Sequence, residues 1–137
     1  MSTKRLTIFA DGASRGNPGP AAIGVVIEDE SGRVIARISR RIGETTNNRA
    51  EYTALIAGLE EAVRIGAEHV ELRSDSELLV RQIMGRYRVK SPALKPLFEQ
   101  VHQLLRKFQS SSIVHIPREQ NKAADALSRK ALRKASG

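Results

Sequence analysis

The chain has no cysteine. That excludes disulfides, thiolate nucleophiles and Cys-ligated zinc or iron–sulfur centres. It also fits a reducing compartment, so a cytoplasmic location is expected. Tryptophan is absent and aromatic residues make up only 4% of the chain, which leaves few platforms for stacking single-stranded bases. No apolar run approaches the roughly 20 residues that cross a bilayer. The start has no long apolar stretch before Asp11-Gly12, so neither a secretory signal nor membrane association is expected. Repeats, low-complexity segments and linkers are missing too. The 137 residues suit one domain, since domains most often hold about 100–150 residues, and 1–137 is expected to fold as a unit.

Positive charge, by contrast, is plentiful. The chain has 23 Lys and Arg against 15 Asp and Glu, a net charge of +8, and a pI near 10.4. With 40% hydrophobic and 28% charged residues, this is a folding composition. A small basic domain suits a polyanionic partner, most often nucleic acid. With so few aromatics, the grip is expected on phosphate and sugar.

Residues 5–10 alternate and predict a strand running into Asp11, with Phe9 and Asp11 on one phase. Phe9 is bulky and apolar, so that phase is expected to face packed protein. A turn-rich stretch follows over 12–20. Residues 21–30 and 33–42 read as two more strands around the Ser31-Gly32 turn. Thr45-Thr46-Asn47-Asn48 offers helix N-caps, and a helix is predicted from there to Ile65, closed by Gly66. A fourth strand is expected over 68–74, then a short helix capped by Asp75 or Ser76 and stopped by Gly85. An amphipathic helix over 92–108 follows, with Leu94, Leu97, Val101, Leu104, Leu105 and Phe108 inward. Residues 112–116 form a fifth strand, and Asn121 caps a last helix. The order βββαβααβα predicts an α/β fold, a mixed five-stranded sheet flanked by helices.

Four acids fit a purely structural role badly. Asp11 ends the first strand. Glu51 lies one turn before Leu55, on the helix face that docks on the sheet. Asp75 ends the fourth strand. Asp125 sits in the first turn of the last helix among Ala123, Ala124 and Ala126, small residues that allow close approach to the sheet. Each alone has an ordinary reading: a solvated acid, a helix cap, a dipole complement. Together they are expected to meet at one sheet edge, where carboxylates repel each other and resist desolvation unless a cation compensates. Oxygen ligands without His or Cys point to Mg²⁺ or Mn²⁺. Two such ions about 4 Å apart can activate water and stabilise the leaving oxygen of a phosphodiester.

The wording around these acids is more specific than their positions. Asp11-Gly12-Ala13-Ser14-Arg15-Gly16-Asn17-Pro18-Gly19-Pro20-Ala21 resembles the opening motif of type 1 ribonuclease H. Thr45-Thr46-Asn47-Asn48-Arg49-Ala50-Glu51-Tyr52 resembles the second motif, Ser74-Asp75-Ser76 the third and Asn121-Lys122-Ala123-Ala124-Asp125-Ala126-Leu127 the fourth. The four come in family order, and the resemblance covers about 4–132. It implies the ribonuclease H-like fold and endonucleolytic hydrolysis of the RNA strand of RNA–DNA hybrids, leaving 5′-phosphate and 3′-hydroxyl ends. It implies two Mg²⁺ ions, with Mn²⁺ as substitute, held by Asp11, Glu51, Asp75 and Asp125. It further implies that Gly12, Ser14, Gly16, Asn17 and Asn48 contact the substrate, with the 2′-hydroxyls read from among them. Thr46 matches a position that holds a phosphate of the DNA strand, where a helix start also favours phosphate.

Two features depart from the better-known family pattern. A loop histidine expected before the last acid has no clear counterpart in Ile116-Pro117-Arg118-Glu119-Gln120-Asn121. His115 falls inside the predicted strand and reads as structural, so Arg118 is the candidate for the auxiliary catalytic role. The basic handle that some relatives carry is reduced to Arg86, Arg88 and Lys90, alternating with Tyr87 and Val89. An extended segment would put those three charges on one side, toward a DNA backbone. The expected partner is an RNA–DNA hybrid, with double-stranded RNA left open, no obligate protein partner and a monomeric state. The rivals are a hybrid- or duplex-binding module with lapsed catalysis, disfavoured because all four acids are present, and a DNA-cutting nuclease of the same fold, disfavoured by the full motif wording.

Overall fold

The computed structural model describes residues 4–135. Five strands and four helices follow the expected order: β1 (Arg5–Ser14), β2 (Gly19–Glu28), β3 (Val34–Thr45), α1 (Asn47–Ile65), β4 (His69–Ser74), α2 (Glu77–Ile83), α3 (Lys95–Leu105), β5 (Ser110–His115) and α4 (Lys122–Ala135). A 3-10 turn, Arg118–Gln120, leads into α4. The sheet order is β3-β2-β1-β4-β5. The β1, β2 and β3 ladders are antiparallel, whereas β4 runs parallel to both β1 and β5. Among the described residues, no helix is long and apolar enough to cross a membrane.

Strand periodicity assigns the two faces of this sheet. Leu6, Ile8 and Ala10 of β1 point one way with Ile23, Val25 and Ile27 of β2 and Val70 and Leu72 of β4. Leu55, Leu59 and Ala62 of α1 close over them, and all of these side chains are buried. On the opposite face α4 lies over β2, β1 and β3, bringing Ala131 and Leu132 against Ala22 and Ala13.

β1 does not stop at Asp11. It pairs with β2 as far as Ser14, with Asp11 opposite Gly24 and Ser14 opposite Ala21. The loop therefore shrinks to residues 15–18, and Gly12 lies inside a strand. The parallel partner β4 ends earlier, at Phe9 opposite Arg73. Asp11 is thus the point where β1 has lost one neighbour and kept the other. The Phe9 phase is also corrected. The apolar core takes the alternate residues, and Phe9 is only half-buried beneath the Arg73 guanidinium, 5.3 Å from the ring centroid.

Three further expectations are adjusted. The long amphipathic helix covers only Lys95–Leu105, and Leu97 and Leu105 are half-buried while Leu94, Val101, Leu104 and Phe108 are buried. β5 starts two residues early, at Ser110, because its ladder with β4 begins at His69 opposite Ser110. Of the alanines around Asp125, only Ala124 is buried against the sheet; Ala123 and Ala126 are exposed.

Candidate active site

Each acid is delivered by a different element. Asp11 projects from β1 toward α4. Gly12, the next residue, lets α1 cross close by: a Cβ there would fall 2.3 Å from the Ala50 carbonyl carbon and 2.4 Å from the Glu51 nitrogen. That close crossing brings the start of α1, and Glu51 with it, beside β1. α1 is capped by Thr46, whose side-chain oxygen accepts from the Arg49 N–H at 3.3 Å. Asp75 stands between β4 and α2. The cap of α2 is Ser76, which accepts from the Leu79 N–H, so Asp75 is not needed for capping. Asp125 lies in the first turn of α4 and pairs with Arg129 one turn on, at 2.7 Å.

Asp11, Glu51, Asp75 and Asp125 line one cavity of about 940 Å³, together with Gly12, Asn47, Arg118, Lys122 and Arg129. The acids sense each other electrostatically. Burial pushes the Asp11 carboxyl up to about 6; a hydrogen bond from Ser128 opposes this, and the Asp75 and Asp125 charges add to it. Burial likewise pushes Glu51 up to about 7, opposed by Ser76 and reinforced by Asp11 and Asp75. Such shifts mark carboxylates held where ionisation is unfavourable. Among the described residues, no three acids stand close enough together to form a complete cation cage. The donor chemistry nonetheless fits a hard divalent cation: oxygen-only, polyanionic and partly desolvated.

Arg118 reaches the cavity wall from the 3-10 turn. His115 does not line that cavity; it is an exposed residue at the end of β5, opposite Ser74. The loop residues act first on the fold. The Ser14 hydroxyl is hydrogen-bonded to the Gly16 carbonyl and also lies 3.0 Å from the Thr45 carbonyl. The Asn17 side-chain oxygen accepts from the Asn47 N–H at 3.0 Å, so the loop is fastened to the start of α1. Asn17, Thr46 and Asn48 line a second cleft with Arg49, and Asn47 belongs to both. Gly16, with φ of +115°, is exposed in the tight loop. Arg86, Arg88 and Lys90 are exposed around the buried Val89, but they line neither cavity.

The inward contacts of two residues, Asn121 and Ser128, escaped the sequence reading. Asn121 was expected to cap α4 with its side chain. Instead its carbonyl accepts from the Asp125 N–H, while its side chain is 1% exposed and turned inward. There Nδ2 donates to the Ala10 carbonyl at 3.0 Å and sits 3.3 Å from Asp75 Oδ2. Ser128 is fully buried with its hydroxyl 2.7 Å from Asp11 Oδ2. The available signal was spacing: 121, 125 and 128 fall on one helix face.

A mixed sheet in this order, with acids from β1, α1, the β4–α2 junction and α4 on one wall, defines a ribonuclease H-like protein. Residues 9–131 match the family described as reverse transcriptase-like. The chain is 45% identical over 128 residues to ribonuclease HI of Halobacterium salinarum, an alignment covering 93% of this chain and 64% of that protein. It thus spans less than two thirds of that curated relative. The crystal structure of ribonuclease H1 from H. salinarum superposes with a TM-score of 0.93, covering 95% of this chain and 98% of the other. LC11 ribonuclease H1, solved in complex with an RNA/DNA hybrid, is 47% identical with a TM-score of 0.91, over 96% of this chain and 99% of that one. The chain belongs to the type 1 ribonuclease H family.

Proposed function

We propose that the protein is an endoribonuclease that hydrolyses the RNA strand of RNA–DNA hybrids, leaving 5′-phosphate and 3′-hydroxyl ends. The observation that carries this reading is the meeting of four carboxylates from four elements in one cavity of a chain with net charge +8. The hybrid held by the LC11 relative supports the substrate class. Asp11, Glu51, Asp75 and Asp125 would hold two Mg²⁺ ions, or Mn²⁺ in their place. Such ions, when bound, make a nucleophile of water and offset charge on the departing oxygen.

The chain's own residues supply position and charge. The N-terminus of α1, where Asn47 is shared between the two clefts and is flanked by Thr46 and Asn48, favours a phosphate through the positive end of the helix dipole. Gly12, Ser14, Gly16 and Asn17 form the strand end and tight loop beside it, a main-chain surface for the ribose side of the hybrid. Arg118 sets a guanidinium on the cavity wall, able to steady a phosphate oxygen during turnover. Arg86, Arg88 and Lys90 add long-range attraction for the polyanion.

A cleavage assay with Mg²⁺ or Mn²⁺ on matched hybrid, double-stranded RNA and double-stranded DNA tests this. Cleavage of the hybrid's RNA strand is expected. Hybrid binding without cleavage would identify a lapsed binding module, and cutting of duplex DNA would identify a different nuclease.

A further inference from the structure

Asp11 has a neighbour on each side that prepares it. Its cross-strand partner in β2 is Gly24. No positive φ makes glycine necessary there; space does. A Cβ at Gly24 would fall 2.0 Å from the Ala124 carbonyl oxygen and 2.6 Å from the Ser128 nitrogen, both backbone atoms of α4. The helix therefore rests directly on the strand beside Asp11. That contact brings Ser128 down to the carboxylate, with Oγ 2.7 Å from Oδ2. Ser128 is entirely buried. Its hydroxyl has one proton and two acceptors within reach, Asp11 Oδ2 and the Asp125 carbonyl at 2.8 Å. A bond to an ionised carboxylate is roughly twice as strong as one to a neutral carbonyl, so the proton goes to Asp11.

We propose that Ser128 is a positioning residue for Asp11: its hydroxyl, delivered by the close seat of α4 on Gly24, fixes the carboxylate before a divalent cation arrives. This rests on the reading of the four acids as a cation site. A free carboxylate in a cavity would have to be ordered on binding. One already held through Oδ2 loses little freedom, and outer partners of this kind typically change cation affinity or activity by about 10–100-fold. Ser128 also ties two of the acids to one rigid helix, since Asp125 stands three residues earlier on the same face.

The test is calorimetric titration of Mn²⁺ into the wild type, Ser128→Ala and Ser128→Thr, with thermal melts of each and the Mg²⁺ dependence of hybrid cleavage. Ser128→Ala is expected to weaken Mn²⁺ uptake about tenfold and to raise the Mg²⁺ needed for half-maximal cleavage in step. The KM for hybrid at saturating Mg²⁺ should stay within about twofold. Ser128→Thr, which keeps the hydroxyl, should recover most of the affinity. Unchanged Mn²⁺ affinity in Ser128→Ala, whatever its melting temperature, overturns the proposal. Equal losses in the alanine and threonine variants also overturn it, because they would point to packing alone. A wild type that takes up no Mn²⁺ would fail in a different place, refuting the cation-site reading itself.

Discussion

The two faces of the sheet are built on opposite principles. The α1 face is a closed apolar layer in which Ile8, Ile23, Val25, Ile27, Leu55, Leu59 and Leu72 are all fully buried. The α4 face carries Ala13, Ala22, Gly24 and Ala124 where large side chains might have stood. Into that thin layer it admits Asn121, Ser128 and the half-buried Asp11 and Asp125, with Glu51 reaching the same edge from the start of α1. The first arrangement maximises apolar area removed from water. The second sacrifices area for close backbone approach, and uses that approach to aim polar groups. Stability should therefore reside mainly in one face and chemistry in the other.

The largest test of that division is Asp11→Asn. It should reduce hybrid cleavage by about a hundred- to a thousandfold, the range that loss of a transition-state electrostatic partner produces. Hybrid binding by electrophoretic shift should be largely intact. The metal-free melting temperature at pH 8 should not fall, because an unfavourably buried charge has been removed; a clear fall would contradict the division. The mirror image is Leu55→Ala on the other face. It should lower stability by about 2–5 kcal/mol in denaturant titration, yet leave kcat on the hybrid within about twofold wherever the protein is still folded.

Acidity sharpens the contrast. Asp11 sits near 6 and Glu51 near 7, both above the ordinary carboxylate range because they are buried. Between about pH 4 and pH 7 the native state therefore holds protons that the unfolded chain has released. The stability contributed by those protons is present at acid pH and is lost as pH rises through the native values. The metal-free protein should lose melting temperature across this window relative to an Asp11→Asn, Glu51→Gln double variant. Added Mg²⁺ should return more stability at pH 8 than at pH 5. A parallel pH course in the two proteins would refute the shift. Arg118→Ala should then lower kcat about tenfold with a smaller change in KM, whereas His115→Ala should change either by less than twofold. The smallest effect is expected from Arg129→Ala. Its guanidinium is exposed although Asp125 is half-buried, and pairs near the surface contribute about 0–1 kcal/mol.

Element order and the four acids were legible because each is written locally. Alternation marks β1, the Thr46 cap and Gly66 bracket α1, and the acids sit inside specific phrases of residues. What failed was decided by partners distant in sequence. Gly12 and Ser14 look like turn residues, but β2 pairs through them and keeps β1 extended. Asn121 has the right type and place for a side-chain cap. It is drawn inward because the Ala10 carbonyl and Asp75 lie within its reach. Ser128 is a small polar residue on a helix whose residues are half polar and half Ala or Leu, and nothing nearby in the chain announces a carboxylate 117 residues away. The preference for Arg118 over His115 rested on strand parity, and the cavity wall holds Arg118 alone of the two.

On the proposed function, the four carboxylates act together as one site for divalent cations. Calorimetric titration of Mn²⁺ at pH 8 into the wild type and Asp75→Asn tests it most directly. Saturable uptake by the wild type, lost or greatly weakened in the variant, is the predicted result. Absence of uptake by the wild type, or identical uptake by both proteins, would contradict it.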